Sequence, residues 1–422
     1  MNRISVFAII FTLFIPLGSY AQYASSSKTP KKAGDLIEST SYNDHKRGAP
    51  RMLQYLPSGE EFVCVNGKNR YTRALYGGHT AWRLETGDRP IFATYVKNDC
   101  RNIRFRLHLP DGTVTPLEET DWCEARYNPG TRTYALKDKA WGENCSLKVS
   151  VLASLTEEMA VWELSGELPA GCELEVLNSP ICRKKLSRSG DMGADPPGCF
   201  EPAEDGTVLQ TLKCRFPADR HLYVGISGNE LKEMQDGGVQ YLALQKACRE
   251  LAGRIRITTP DPYFNTLGGA LAVAADGIWG EEGVWLHGAV GWRMPLSGWR
   301  AAYVGDVLGW HDRARTHFDN YAASQVTEVP NTISHPAQDS ALALARSAKI
   351  WGTPQYSNGY ICRNPRRNNQ MHHYDMNLCY IDELLWHFNW TGDLEYARRM
   401  WPLLTLHLAW EKRNFDPDND GL

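Results

Sequence analysis

The tripeptide Pro260-Asp261-Pro262 divides the chain into two parts that one kind of layer cannot hold. Before it, apolar residues recur at every second position. After it, they recur at three- and four-residue steps. Proline fixes φ and lacks an N–H, so it opens a helix readily but cannot continue a strand ladder. A chain with such a switch is expected to follow a strand-built domain with a helical one.

The strand-like part runs from about residue 60 to 258. Arg104 to Leu109, Leu147 to Val151 and Arg254 to Ile257 alternate polar and apolar residues. Val161 to Leu164, Val208 to Phe216 and His221 to Ile226 add short β-prone runs. Turn signals punctuate them at Pro110-Asp111-Gly112, Asn128-Pro129-Gly130, Gly142 to Asn144, Asp205-Gly206 and Asp236-Gly237-Gly238. Many short strands with regular turns predict an antiparallel β-sandwich over 58–259, with Asp191 to Pro202 as a long loop. Helical spacing then predicts five helices: Tyr263 to Trp279, Ser297 to Ser324, Gln338 to Trp351, Asp375 to Trp390 and Leu394 to Asn414. Thr391-Gly392-Asp393 should cap the last, and Pro402 should kink or interrupt it.

Ahead of these lies Met1 to Gln22, with Arg3 before an apolar run from Ile4 to Leu17 and a small-x-small site at Ser19-Tyr20-Ala21. This predicts a signal peptide, residues 1–21, cleaved after Ala21, and export to the periplasm or the exterior. The apolar run is short for a membrane anchor, and no later segment is apolar enough to span a bilayer. Residues 22–57 read as a polar linker. The net charge is −3 with no basic stripe, which argues against nucleic-acid binding. The 11 cysteines form no C-x-x-C and no zinc pattern. One or two bridges could form between Cys64 and Cys248, but most are expected to be buried thiols. No cofactor and no metal are expected, and the oligomeric state is left open.

Of 14 tryptophans, ten lie at or after Trp279, so aromatic density belongs to the helical part. It peaks from His287 to Arg313, where Gly291-Trp292-Arg293 and Gly298-Trp299-Arg300 repeat a unit ahead of Asp306. Aromatic plates, guanidinium forks and a carboxylate are what a sugar-binding cleft uses. The plainer reading is a Trp-rich core helix whose acid pairs with Arg300 or Arg313. Trp299, Tyr303 and Trp310 could desolvate Asp306 and raise its pKa. His372-His373-Tyr374-Asp375 follows a cationic, amide-rich loop that holds Arg363, Arg366 and Arg367. Asp375 there suits a base or a plain N-cap, and His372 or His373 suits a donor to hydroxyl groups. Glu281-Glu282 is a further acid candidate. Trp279, Trp285 and Trp351 are further stacking candidates. Asp416-x-Asp418-x-Asp420-Gly421 matches half a calcium loop, or a plain inter-helix loop.

Asn66 to Gly78, Arg83 to Pro90 and Gly291 to Leu296, in this order of strands, Pro-Asp-Pro junction and helices, resemble an uncharacterised family of exported bacterial six-hairpin glycosidase-like proteins. The resemblance runs over roughly residues 50 to 422. It implies an N-terminal β-sandwich followed, over 260–422, by an (α/α)6 toroid. Five expected helices against about twelve make that toroid partial. It also implies acid/base hydrolysis of complex carbohydrate, usually inverting, with two carboxyl groups about 6.5–9.5 Å apart. On that basis Asp306 and Asp375 are the expected catalytic pair, and Trp292, Arg293, Trp299, Arg300, His372 and His373 the expected substrate contacts. Related α-rhamnosidase-type enzymes carry an acid seven positions before the residue matching Asp306, and here that position is Trp299. A polysaccharide lyase, with Tyr374 or a neighbouring histidine as base and Arg366 or Arg367 neutralising a uronate, and a non-catalytic glycan-binding copy are the alternatives.

Overall fold

The structure is a computed structural model. It describes residues 55–96, 99–183, 186, 195, 197–217, 219–290, 292–329, 356–367 and 375–416, with the backbone of two-residue strands at 37–38, 52–53, 338–339 and 344–345. The expected signal peptide and nearly all of the linker lie outside these residues. So do Trp351, His372, His373, Tyr374 and the Asp418–Gly421 half-loop. The chain falls into two compact units, Met1–Leu56 and Pro57–Leu422. The two large sheets, Leu56 apart, and the helices belong to the second.

The first part of that unit is antiparallel throughout. The strands are β1 Leu56–Ser58, β2 Glu61–Val65, β3 Arg73–Tyr76, β4 Arg83–Thr86, β5 Phe92–Tyr95, β6 Arg101–His108, β7 Val114–Pro116 and β8 Trp122–Asn128. They continue as β9 Thr131–Lys137, β10 Ser146–Ala153, β11 Met159–Glu167, β12 Glu173–Pro180, β13 Gln210–Arg215, β14 His221–Ser227 and β15 Glu230–Glu233. One sheet has the order β15-β14-β11-β10-β9-β8-β2-β1, the other β13-β12-β6-β5-β4-β3, with β7 beside β6. In β8 and β9 every second residue is buried, as a sheet covered on one face requires. The buried set meets that of the second sheet in one core. Trp162 of β11 lies 5.3 Å from Phe92 and 5.5 Å from Phe105, ring centre to ring centre.

The expectation of strands up to residue 258 needs correction. Asp236-Gly237-Gly238 does not turn between strands; it opens helix α1, Gly237–Ala252, and Arg254 to Ile257 is not a strand. Tyr241, Cys248 and Leu251 recur at helical spacing on α1. Tyr241 and Cys248 bury against Leu152, Met159 and Val161 of the first sheet's other face.

Helix α2, Pro262–Gly277, begins where expected. Asp261 caps it by accepting from the Tyr263 amide at 2.8 Å. A two-strand ribbon follows, β16 Trp279–Gly280 and β17 Val284–Trp285. The second expected helix is not continuous. Ser297 to Arg300 is a turn, then come α3 Tyr303–Val307 and α4 His311–Ala322. Gly309 at φ +72° breaks the helical run between them. The third expected helix, Gln338 to Trp351, is helical at none of its described residues. Residues 338–339 pair antiparallel with 344–345, which demands extended backbone. Helices α5 Asp375–Thr391 and α6 Leu394–Phe415 agree with expectation. Asp393 caps α6 through the Tyr396 amide, and α6 runs through Pro402 as one element rather than breaking there.

The helices share a second core, in which Trp285, Ala314, Phe318, Tyr380, Leu384 and Met400 are buried together. Their other faces are not all covered. Leu378, Leu385, Trp386 and Trp390 of α5 and Leu394, Trp401 and Leu408 of α6 are exposed. No described helix is long and apolar enough to cross a membrane.

Candidate functional site

A cleft of about 430 Å³ opens where the β3–β4 loop and strands β4 and β5 meet the segment after α2. His79, Arg83 and Tyr95 line one side, and Glu281, Glu282, Val290, Arg293 and Met294 the other. The ribbon β16–β17 presents Glu281 and Glu282 at its turn, where both are exposed. Asn320 of α4 braces that turn by donating to the Glu282 and Gly283 carbonyls at 2.9 and 3.0 Å.

Residues 286–295 then form a hairpin, with Leu286 bridged to Pro295 and the His287 amide donating to the Met294 carbonyl. This hairpin carries Trp292, and the imidazole of His287 packs edge-on between Trp292 (5.5 Å) and Trp299 (4.3 Å). Both indoles keep 48% of their surface exposed. They are therefore open plates rather than core. Burial lowers the His287 pKa, which favours the neutral ring.

The two arginines of the repeat behave differently. Arg293 donates to the backbone carbonyls of Gly277, His79 and Trp279 at 2.6, 2.6 and 3.1 Å, so its fork ties the hairpin to α2 and the β3–β4 loop. Burial lowers its pKa as well. Arg300 is exposed and has φ +61°, an uncommon conformation for a residue with a Cβ.

Asp306 lies inside the helical core and does not line the cleft. It is 5% exposed, and its carboxylate meets two imidazoles. His311 Nδ1 is 2.8 Å from Oδ1; His387 Nδ1 is 2.9 and 3.0 Å from the two oxygens. A carboxylate can only accept, so both rings present Nδ1–H to it. Arg313, one partner expected for Asp306, instead pairs with Asp276 of α2 at 2.7 Å and stacks on Trp310 and Trp279. Asp276 also accepts from His79 at 3.0 Å, and these partners hold its carboxyl below its ordinary range against the opposing effect of burial. Asp375 is exposed at the first position of α5. Arg366 donates to the Asn320 side chain at 2.8 Å.

Two groups in the helical core are absent from the sequence-based candidates. His387 and Glu383 share the inner face of α5 with Met376, Tyr380 and Leu384, at helical spacing. Polar residues on an apolar stripe are the signal that could have found them. Glu383 is 2% exposed, and neither carboxyl oxygen has a hydrogen-bond partner of good geometry. Burial pushes its pKa up to about 8, with the Ala302 amide and Arg300 opposing and Asp382 reinforcing. The folded form therefore keeps a proton that the unfolded chain releases at its ordinary carboxylate pKa. This contribution favours folding most below pH 4.5 and is lost as pH rises towards about 8. Glu383→Gln should remove that slope. Urea unfolding of the two proteins should agree near pH 4 and separate by about 4 kcal/mol near pH 8, the variant being the more stable. Parallel curves would contradict it.

His317 of α4 is also buried. Its Nδ1 accepts from the Trp285 amide at 3.1 Å, and burial pushes its pKa down to about 3. No group of three or more His, Cys, Asp or Glu among the described residues could hold a metal ion.

A family model described as a domain of unknown function (DUF4450) matches residues 100–210, within the strand-built part. No curated protein sequence matches the chain. Among solved structures, a bacterial glucoamylase complexed with acarbose is similar at TM-score 0.35 and 7% identity, over 62% of this chain and 53% of that one. The chain thus spans about half the length of that glucoamylase.

Proposed function

We propose that the chain is glycosidase-like and takes a carbohydrate in the cleft between His79–Arg83 and Glu281–Pro295. The observation that carries this reading is one cleft that holds two solvent-open carboxylates, Glu281 and Glu282, beside a hairpin bearing the exposed indole of Trp292. Indole faces bind the apolar faces of sugar rings, and glycoside hydrolysis needs carboxyl groups that reach the scissile oxygen and a water. In this reading the two sheets are the sandwich and the helices part of a toroid. Glu281 and Glu282 take the acid/base work that the sequence pattern assigned to Asp306. Asp306 acts instead by fixing His311 and His387. Asp375, exposed at the start of α5, is the candidate second carboxylate.

The test is release of reducing ends from α- and β-linked oligosaccharides by the wild type and by Glu281→Gln, Glu282→Gln and Asp375→Asn. Loss of general acid or base catalysis should lower kcat by about 100-fold or more in at least one cleft variant. Trp292→Ala and Trp299→Ala should weaken binding with a smaller effect on kcat. Binding without turnover in the wild type would make the chain a glycan-binding module. Turnover that survives all three acid variants would overturn the assignment of the cleft.

A further inference from the structure

All eleven cysteines are free thiols, so any oxidation depends on which sulfurs can reach one another. In three pairs one thiol lies close enough to feel the charge of the other: Cys123 beside Cys64, Cys172 beside Cys145, and Cys199 beside Cys182. Only the third combines an exposed thiol with a buried one. Its two residues also meet through direct contacts. Cys182 Sγ lies 2.9 Å from the Gly198 carbonyl oxygen and 3.5 Å from that of Cys199 itself. The backbone on either side is already paired. Ile181 bridges Pro202 antiparallel, and the Cys182 amide donates to the Glu201 carbonyl at 2.7 Å. A sulfur this near the partner's own backbone needs a rotation of side chains, not a movement of strands, to meet the second sulfur.

We propose that Cys182 and Cys199 are an oxidation site, forming a disulfide between the end of β12 and the 3-10 turn Pro197–Phe200. Cys182, exposed, meets the oxidant first. With a small disulfide such as oxidised glutathione, its thiolate attacks one sulfur, gives a mixed disulfide and expels one glutathione thiolate. The Cys199 thiolate then attacks the Cys182 sulfur, forms the protein disulfide and expels the second. Two protein thiols lose two electrons, one glutathione disulfide gains them, and the two thiol protons end on the two glutathiones. Burial, with Asp195 and Cys182, holds the Cys199 thiol above its ordinary pKa, and Arg183, which pairs with Asp195 at 3.0 Å, opposes them.

The experiment incubates the folded full chain with oxidised glutathione or with dithiothreitol, alkylates it, and maps peptides by mass spectrometry without reduction. The oxidised sample should yield a linked Cys182–Cys199 peptide two hydrogens lighter than its parts. Thiol titration after denaturation should fall by two from eleven. Cys199→Ser should stop at a persistent glutathione adduct on Cys182, and Cys182→Ser should lose both adduct and bridge. An adduct that persists on Cys182 in the wild type, a link from Cys182 to any other cysteine, or an unreacted Cys182 would each overturn the proposal.

Discussion

Gly298→Ala is expected to destabilise the protein by roughly 4 kcal/mol or to prevent folding. A Cβ at this position would overlap the Met376 carbonyl oxygen and the Tyr380 amide nitrogen and would sit 2.9 Å from the Cys379 Cβ. Those atoms belong to the first turns of α5, and the two closest are backbone, so no flexible side chain can move aside. Helix α5 is itself held against α3, α4 and α6. The alternatives are therefore to shift a helix or to push the 297–300 turn away from it. Gly288→Ala is the matched control, because its Cβ would meet Trp292 atoms at 3.6 Å, an ordinary contact. It should stay within about 1 kcal/mol of wild type. Urea unfolding of both variants makes the comparison, and equal midpoints would refute it. The glycine of the second Gly-Trp-Arg unit is thus required by packing, while its tryptophan faces solvent.

The second large effect is expected at Asp306. Asp306→Ala removes the acceptor for His311 and His387, and His387 has no access to water with which to replace it. Leaving a buried donor unpaired, with a cavity beside it, should destabilise the fold by about 3 kcal/mol. Asp306→Asn keeps one acceptor oxygen and should cost about half as much. His387→Ala should be non-additive with Asp306→Ala, with a coupling of at least about 1 kcal/mol in a double-mutant cycle. If Asp306 instead served only as an acid on substrate, both Asp306 variants would unfold like wild type while losing activity. Unfolding curves and hydrolysis rates measured on the same preparations separate the two roles.

The helix start at Pro262, the capping of α6 by Asp393 and the alternation along Arg104 to His108 of β6 were all legible, because each is set by neighbours in sequence. Helix α1 was hidden by Asp236-Gly237-Gly238, whose composition suits a turn as well as a helix start. The division of the second expected helix was hidden too, since only the left-handed conformation at Gly309 reveals it. At the site, the aromatic character of Trp292 and Trp299 was readable, but their exposure was not. The desolvation of Asp306 was anticipated, but its imidazole partner was unreadable for another reason. That partner, His387, is 81 residues away in sequence, and no local pattern announces a partner at that distance. Arg293 illustrates the same limit. A guanidinium free for a ligand and one committed to three carbonyls are the same residue on paper.

The uncovered faces of α5 and α6 bear on how the molecule opens. Seven large apolar side chains there, from Leu378 to Leu408, stay in contact with water when folded. They contribute little to the difference in hydration between the folded and open forms of these helices. What holds the pair is its inner face, Tyr380, Leu384, Met400 and Leu404, together with the bond between His387 and Asp306. A pair fastened along one side is the natural unit of local unfolding, with a lower free energy of opening than the strands around Trp162. Amide protons of α5 and α6 would then exchange through a movement that leaves the two sheets intact.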